Sequence, residues 1–255
     1  MLKIYLDFII LCSTQIFKKK TLEYKNIAIK VLKSKIKTKK FVKIEEIRKN
    51  LLKNNQRIKV IDLGAGSKKN KTDERRISDI AKNSLSSQKK CIFLYNIAEK
   101  IAAKNILEFG TSFGITTLYL ASVENMQKIT TVEASENIAN IAKENFSNFN
   151  LNINLITDSF DNFIEKNKND KNLFDLIFID GNHQFQTTLR YFDYAIKHLS
   201  HKGVIIIDDI RWSKDMFLAW QNIYEQSKTG FFIDLISFGI IFNNQESKEK
   251  TCYLF

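Results

Sequence analysis

The chain has 255 residues, 44% of them hydrophobic, enough for one sizeable α/β core with an appendage. Its three cysteines, Cys12, Cys91 and Cys252, lie far apart without a CxxC pair, which argues against a disulfide framework or thiolate zinc site and fits a reducing, cytoplasmic setting. The formal charge of +12 concentrates in residues 1–60, with 17 basic against 4 acidic residues, and no apolar stretch reaches the roughly 18 residues that span a bilayer.

In chain order, Met1 to Cys12 is apolar but broken by Asp7, and no small-residue cleavage site precedes Lys18-Lys19-Lys20, so no export signal is read. From Thr21 to Asn54 apolar residues recur at mixed three and four spacing, as in amphipathic helices with lysine-rich outer faces. Residues 1–56 therefore read as a basic helical accessory region. Such an arm has the charge to contact nucleic acid or an anionic membrane surface, although Lys and Asn are abundant along the whole chain and Pro is absent, a pattern that matches AT-rich codon usage.

Residues 57–90 read as a linker or lid. A short apolar run, Arg57 to Leu63, ends in Gly64-Ala65-Gly66-Ser67, and a charged loop, Lys68 to Arg76, follows. Asp62-Leu63-Gly64-Ala65-Gly66 looks like a nucleotide loop, yet the residue some twenty further on, near Ser84, ends no second strand, so it reads as a decoy. In the lid reading, Ser67, Arg75 or Arg76 reaches substrate.

Residues 91–255 alternate in the manner of a doubly wound domain. A helix over Ile92 to Ala103 precedes a strand (Asn105 to Phe109), a helix (Thr116 to Val123), a strand (Lys128 to Glu133), a helix (Glu136 to Phe146) and a strand (Asn152 to Thr157). A strand at Phe174 to Asp180 follows, then a helix carrying Phe185, Leu189, Phe192, Ile196 and Leu199 on one face. The apolar run Val204 to Ile207 reads as a doubly buried strand. After a helix with Trp220 and Ile223, the runs Phe231 to Ile236, Ile240 to Phe242 and Thr251 to Phe255 are too close for crossover helices and are expected to pair antiparallel. The fold expected is α/β: a Rossmann-like, seven-stranded mixed sheet with a parallel core, antiparallel C-terminal strands and a helical N-terminal extension.

With only eight glycines, position carries information. Glu108-Phe109-Gly110-Thr111-Ser112-Phe113-Gly114 follows the first strand of this domain as ExGxxxG. Here a residue without Cβ lets a cofactor approach the backbone, and the second glycine lets the helix pack closely. Glu133 ends the next strand 23 residues after Gly110, near the spacing at which a carboxylate accepts both hydroxyls of a ribose. A nicotinamide or flavin enzyme would show GxGxxG here, which this loop does not match.

Together, Ile106 to Ala121 (ILEFGTSFGITTLYLA), Thr130 to Ser135 (TTVEAS), Phe174 to His183 (FDLIFIDGNH) and Gly203 to Trp212 (GVIIIDDIRW) resemble the successive motifs of class I S-adenosylmethionine (SAM) dependent methyltransferases. Within them the chain is most similar to the catechol O-methyltransferase-like group and bacterial relatives of undefined substrate, some with an IEEIR and DxGAGS leader. That resemblance implies SAM as cofactor. Glu108, Gly110, Thr111, Ser112, Gly114 and Thr116 would serve its methionine side, Glu133 with Ala134 its ribose, and Asp158, Ser159 and Phe160 its adenine, with Asp180 beside the sulfonium. It also suggests a divalent cation, Mg²⁺ or Ca²⁺, on Asp180, Asp208 and Asp209, although Asp209 stands where the cation-binding relatives have asparagine.

Methyl transfer is an in-line displacement at an activated carbon, so the protein aligns the reactants and removes the acceptor's proton. Asp180, His183 and Asp209 follow buried strands and are the catalytic candidates, with His183 the natural general base because its ordinary pKa is about 6.5. Trp212 is a candidate acceptor contact, whereas Trp220 reads as core. The expected function is O-methylation of a small molecule by a soluble enzyme without a membrane span. RNA methylation using the basic arm and SAM binding without turnover are the alternatives. Oligomeric state stays open, a homodimer among the options.

Overall fold

The computed structural model describes residues 38–60, 74–227 and 230–243, and the backbone of 250–254. The Lys18 cluster and the Asp62 to Ser67 motif lie outside the described residues. A 3₁₀ turn, Thr38–Phe41, leads into α1 (Val42–Lys53), whose apolar stripe buries Ile44 and Leu51. The expected charged loop instead ends in a strand: β2 (Glu74–Arg76) pairs antiparallel with β1 (Arg57–Lys59) as a separate ribbon. α2 (Ile77–Ser84) and α3 (Gln88–Lys100) follow.

The main sheet is built from β3 (Asn105–Phe109), β4 (Lys128–Glu133), β5 (Ile153–Thr157), β6 (Phe174–Ile179), β7 (Leu199–Asp208), β8 (Gly230–Asp234), β9 (Phe238–Phe242) and β10 (Lys250–Leu254). Its order is β10-β8-β9-β7-β6-β3-β4-β5. The strands from β7 to β5 are parallel, and β9 runs antiparallel to both β7 and β8. This is the expected mixed sheet, extended at its edge by β10, which pairs parallel with β8 rather than antiparallel. The geometry explains the difference. β10 returns antiparallel to β9 but is seated one place farther out, beside β8, so it shares the direction of β8.

Helices α4 (Ile115–Ala121), α5 (Glu136–Ser147), α6 (Phe160–Asn167), α7 (Phe185–Lys197) and α8 (Lys214–Gln226) flank the sheet. Strand residues alternate between its two faces. Leu107, Phe109, Ile177, Ile179, Ile205 and Ile207 pack with Tyr191, Phe192, Trp220 and Phe163 of α6, α7 and α8. Ile106, Leu176, Phe178, Val204 and Ile206 pack with Leu94, Ile97 and Leu120 of α3 and α4. Trp220 is core, as expected. The face expected of α7 is rotated, however: Thr188, Tyr191, Phe192, Tyr194 and Ala195 are buried while Ile196 is 39% exposed. α6, a segment assigned no element from the sequence, is capped by Ser159, whose hydroxyl accepts the Asn162 N–H at 3.1 Å, and is pinned by buried Phe163.

A third apolar cluster joins Phe41, Ile44, Leu51, Ile77 and Ile80 to Cys91, Phe113, Ile115, Leu118 and Tyr119. Thus the segments preceding β3 share a core with the helix that follows it. Arg48 and Glu45 tie α1 to this cluster, for Arg48 donates to the Ser86 carbonyl at 2.5 Å and Tyr119 donates to Glu45 at 2.8 Å. Among the described residues no helix is long and apolar enough to cross a membrane.

Candidate active site

The chain runs β3 to β4 to β5 and then returns to place β6 on the other side of β3, which opens a crevice at the carboxyl ends of β3 and β6. Gly110 enters it with φ +108°. A Cβ there would lie 2.0 Å from the Asp180 carbonyl oxygen, so a side chain is sterically barred. The loop is fastened by the Gly110 and Thr111 N–H groups donating to the Val132 carbonyl at 3.1 and 3.2 Å. Farther along, Ser112 donates its N–H to Glu133 Oε2 at 3.0 Å, and Ser135 donates to Oε1 at 3.0 Å. Glu133 is therefore held from both sides as a preset acceptor, and a carboxylate has about four acceptor directions in all.

A cavity of about 550 Å³ opens over these strand ends, within the size range of small-ligand sites. Gly110, Ser112, Glu133 and Ala134 form one half of its wall, Ser159 and Phe160 one end, and Asp180, His183, Asp208 and Asp209 the other half. Arg75 reaches it from β2, and the stretch Asn83 to Ser87 roofs it. Phe160 is both lining and core, since its ring packs on Phe109 at 5.3 Å and Tyr191 at 5.5 Å.

Other residues expected at the cofactor lie behind this wall. Strand alternation puts Glu108 with Ile106 on the α4 face, where it is fully buried and its Oε2 accepts from the Thr117 and Thr131 hydroxyls. Burial pushes the Glu108 carboxyl up to about 7. Thr111 is bonded to Thr131 at 2.6 Å. Gly114 starts α4 at φ +80° and makes room for the Phe146 ring, which a Cβ would meet at 2.2 Å. Thr116 faces the Cys91 sulfur at 3.8 Å. Asp158 turns to the Ser159 N–H, Asn162 and Lys166. Arg76 is exposed and outside the cavity. Trp212, 41% exposed, lies beside the His183 ring at 5.6 Å instead of lining the wall.

The opposite half is charged and strained. Burial, together with the neighbouring charge of Asp208, holds the Asp180 carboxyl well above the usual carboxylate range. Asp208, 2% exposed, accepts the Asp209 N–H at 2.7 Å and pairs with the Lys90 ammonium. His183 Nε2 is 3.9 Å from Asp209, and burial lowers the imidazole pKa, keeping the ring neutral at neutral pH. His183 Nδ1 and Asn182 Oδ1 are buried without a partner, while Asn182 Nδ2 donates to the Tyr191 hydroxyl at 2.9 Å. Ser112, Asn182, His183 and Asp209 all have positive φ, at 48°, 66°, 38° and 53°. Such conformations cost of order 1 kcal/mol each and gather where function requires them.

Among the described residues no group of three or more His, Cys, Asp or Glu side chains is arranged to hold a metal ion. The Lys90 ammonium pairs with one oxygen of Asp208. One of the carboxylates that the sequence suggests as ligands is thus paired with a protein cation. Lys90 is the residue that sequence reading missed: in Lys89-Lys90 it looks like any solvated lysine.

Residues 107–210 match the family described as a methyltransferase domain. No curated protein matches the chain by sequence. Among solved structures, an O-methyltransferase from Bacillus cereus in complex with S-adenosylhomocysteine (SAH) is 25% identical, with TM-score 0.54 over 63% of this chain and 83% of that one. The SAM complex of an O-methyltransferase from Streptomyces achromogenes is 17% identical, with TM-score 0.56 over 62% and 81%. A Podospora anserina methyltransferase bound to SAH is 15% identical, with TM-score 0.61 over 89% and 97%. Motif order, sheet order and the matched segment agree: residues 107–210 carry a methyltransferase domain of the SAM-dependent kind.

Proposed function

We propose that this enzyme transfers the methyl group of SAM to an oxygen of a small acceptor seated against the β6 and β7 ends of the cavity. The observation that supports this reading best is that Glu133 and His183 face a single cavity from opposite halves of one parallel sheet edge. Glu133 receives the ribose, and Gly110 admits the cofactor to the backbone. The Ser159 and Phe160 end receives the adenine, which leaves the reactive methyl directed toward Asp180 and His183. A neutral imidazole takes the acceptor's proton as the oxygen attacks. Asp209, 40% exposed and 3.9 Å from His183, stabilises the imidazolium that results. The volume of the cavity and its roof suit a small molecule.

Calorimetric titration of SAH into wild type and Glu133→Ala tests the cofactor half. Micromolar affinity in the wild type, falling about a hundredfold in the variant, is expected from the loss of two hydrogen bonds to a charged acceptor. Absence of SAH binding by the folded wild type overturns the reading. Transfer of radiolabelled methyl to a panel of phenols and alcohols, against amines, then tests the oxygen acceptor. Amine methylation alone excludes it.

A further inference from the structure

Lys90 enters the cavity from the first turn of α3, upstream of the segment that matches the methyltransferase family. The turn is fixed by Ser87, whose hydroxyl accepts the Lys90 N–H at 3.3 Å. The ammonium pairs with Asp208, the two side chains being 18% and 2% exposed. So buried a pair is little screened, and removing either partner would strand a charge. Phe238 presents its ring to the ammonium at 6.0 Å, a cation-π distance. Asp180 and Asp209 also act on the ammonium, and His183 stands across from Asp209 at 3.9 Å. A fixed positive charge and a proton acceptor therefore share the half of the cavity assigned above to the acceptor. A lysine that served only to neutralise Asp208 would not need to line the cavity.

We propose that Lys90 is a catalytic residue whose ammonium, anchored on Asp208, contacts the acceptor oxygen and stabilises the negative charge that develops there, so that no divalent cation is needed at this place. The inference rests on the methyltransferase reading above. In the step, the acceptor O–H bond breaks and its proton passes to a nitrogen of His183. An electron pair of the oxygen forms the new O–C bond, while the pair of the C–S bond stays on sulfur, which changes from sulfonium to thioether. The imidazolium then returns its proton to solvent. Because the ammonium does not move, the charge is stabilised without reorganisation at the moment of reaction.

The test uses the full chain saturated with SAH, as wild type, Lys90→Gln and Lys90→Arg, with 4-nitrophenol as a coloured stand-in for the acceptor and Mn²⁺ as a paramagnetic probe. Bound 4-nitrophenol should ionise more readily on the wild type than in water, its acidity constant rising about tenfold or more. Lys90→Arg should keep part of that effect and Lys90→Gln should lose it, with SAH affinity preserved in all three. The paramagnetic signal should show Mn²⁺ binding to Lys90→Gln, where carboxylates lose their counter-charge, and none to wild type. A wild type that leaves 4-nitrophenol unperturbed, or perturbs it only when Mn²⁺ is added, overturns the proposal. So does a Lys90→Gln variant that retains the effect. Should Lys90→Gln fail to fold, the wild type with and without Mn²⁺ and Lys90→Arg still decide. Failure of SAH to bind the wild type would instead overturn the methyltransferase reading.

Discussion

The two halves of the cavity are made differently. On the β3 and β4 side, one glycine and one glutamate are placed by backbone: Gly110 presses on the Asp180 carbonyl, and Glu133 is held by two loop N–H groups. On the β6 and β7 side, the groups are side chains drawn from α3, the β6–α7 loop and the end of β7, held at positive φ and against one another's charge. The first half is set by backbone geometry. The second half depends on side chains brought together from separate elements.

The sharpest way to break the comparison is to damage the backbone half. Gly110→Ala should cost more than about 3 kcal/mol of stability, because its Cβ meets backbone and its φ is wrong for any L-residue. Thermal denaturation and SAH titration check this, and a stable, SAH-binding variant would show that the loop yields. Next in size, His183→Ala should lower the transfer rate about 10²- to 10⁴-fold, the usual contribution of a general base, with SAH affinity within about threefold. In the wild type, the lowered pKa of His183 would keep the proposed base active into mildly acid solution. The acid limb of the rate profile should therefore fall below the ordinary histidine value of about 6.5.

Glu108 sharpens the contrast from behind the wall. Its folded pKa, about 7 against 4.5, means that the native state binds the extra proton. The stabilisation is complete below pH 4.5 and is lost as pH rises through about 7, and denaturant titrations should register a loss of about 3 kcal/mol between those limits. Glu108→Gln should flatten that dependence. The smallest effect is expected from Ser112→Gly, which relieves the φ of +48° while keeping the N–H on Glu133. A gain of about 0.5–1 kcal/mol with unchanged SAH affinity should appear in the melting curve.

The backbone half was largely legible in the sequence for the same reason that it is fixed. Gly110 and Glu133 are specified by local spacing after strands, and the strands themselves by apolar runs. Glu108 misled because the motif fixes its position but not its face, and period-two alternation turns it away from the cavity. The tyrosines of α7 misled the helix reading, since Tyr191 and Tyr194 are buried through their rings while Ile196 is left outside. Ser159 caps α6, a short helix of eight residues with one buried side chain and therefore little apolar periodicity to read. Lys90 had no local signal at all, because its partner Asp208 lies 118 residues away and only the folded sheet brings them together.

The shared core between α1, α2, α3 and α4 has a consequence for where this enzyme can be cut. A gene fragment beginning at residue 91 would still encode the matched methyltransferase segment, with Gly110, Glu133, Asp180 and His183. It would lack the roof from Asn83 to Ser87 and the ammonium on Asp208, and it would lay bare the apolar surface of Phe113, Ile115 and Leu118. What precedes the matched segment therefore supplies part of the cavity wall.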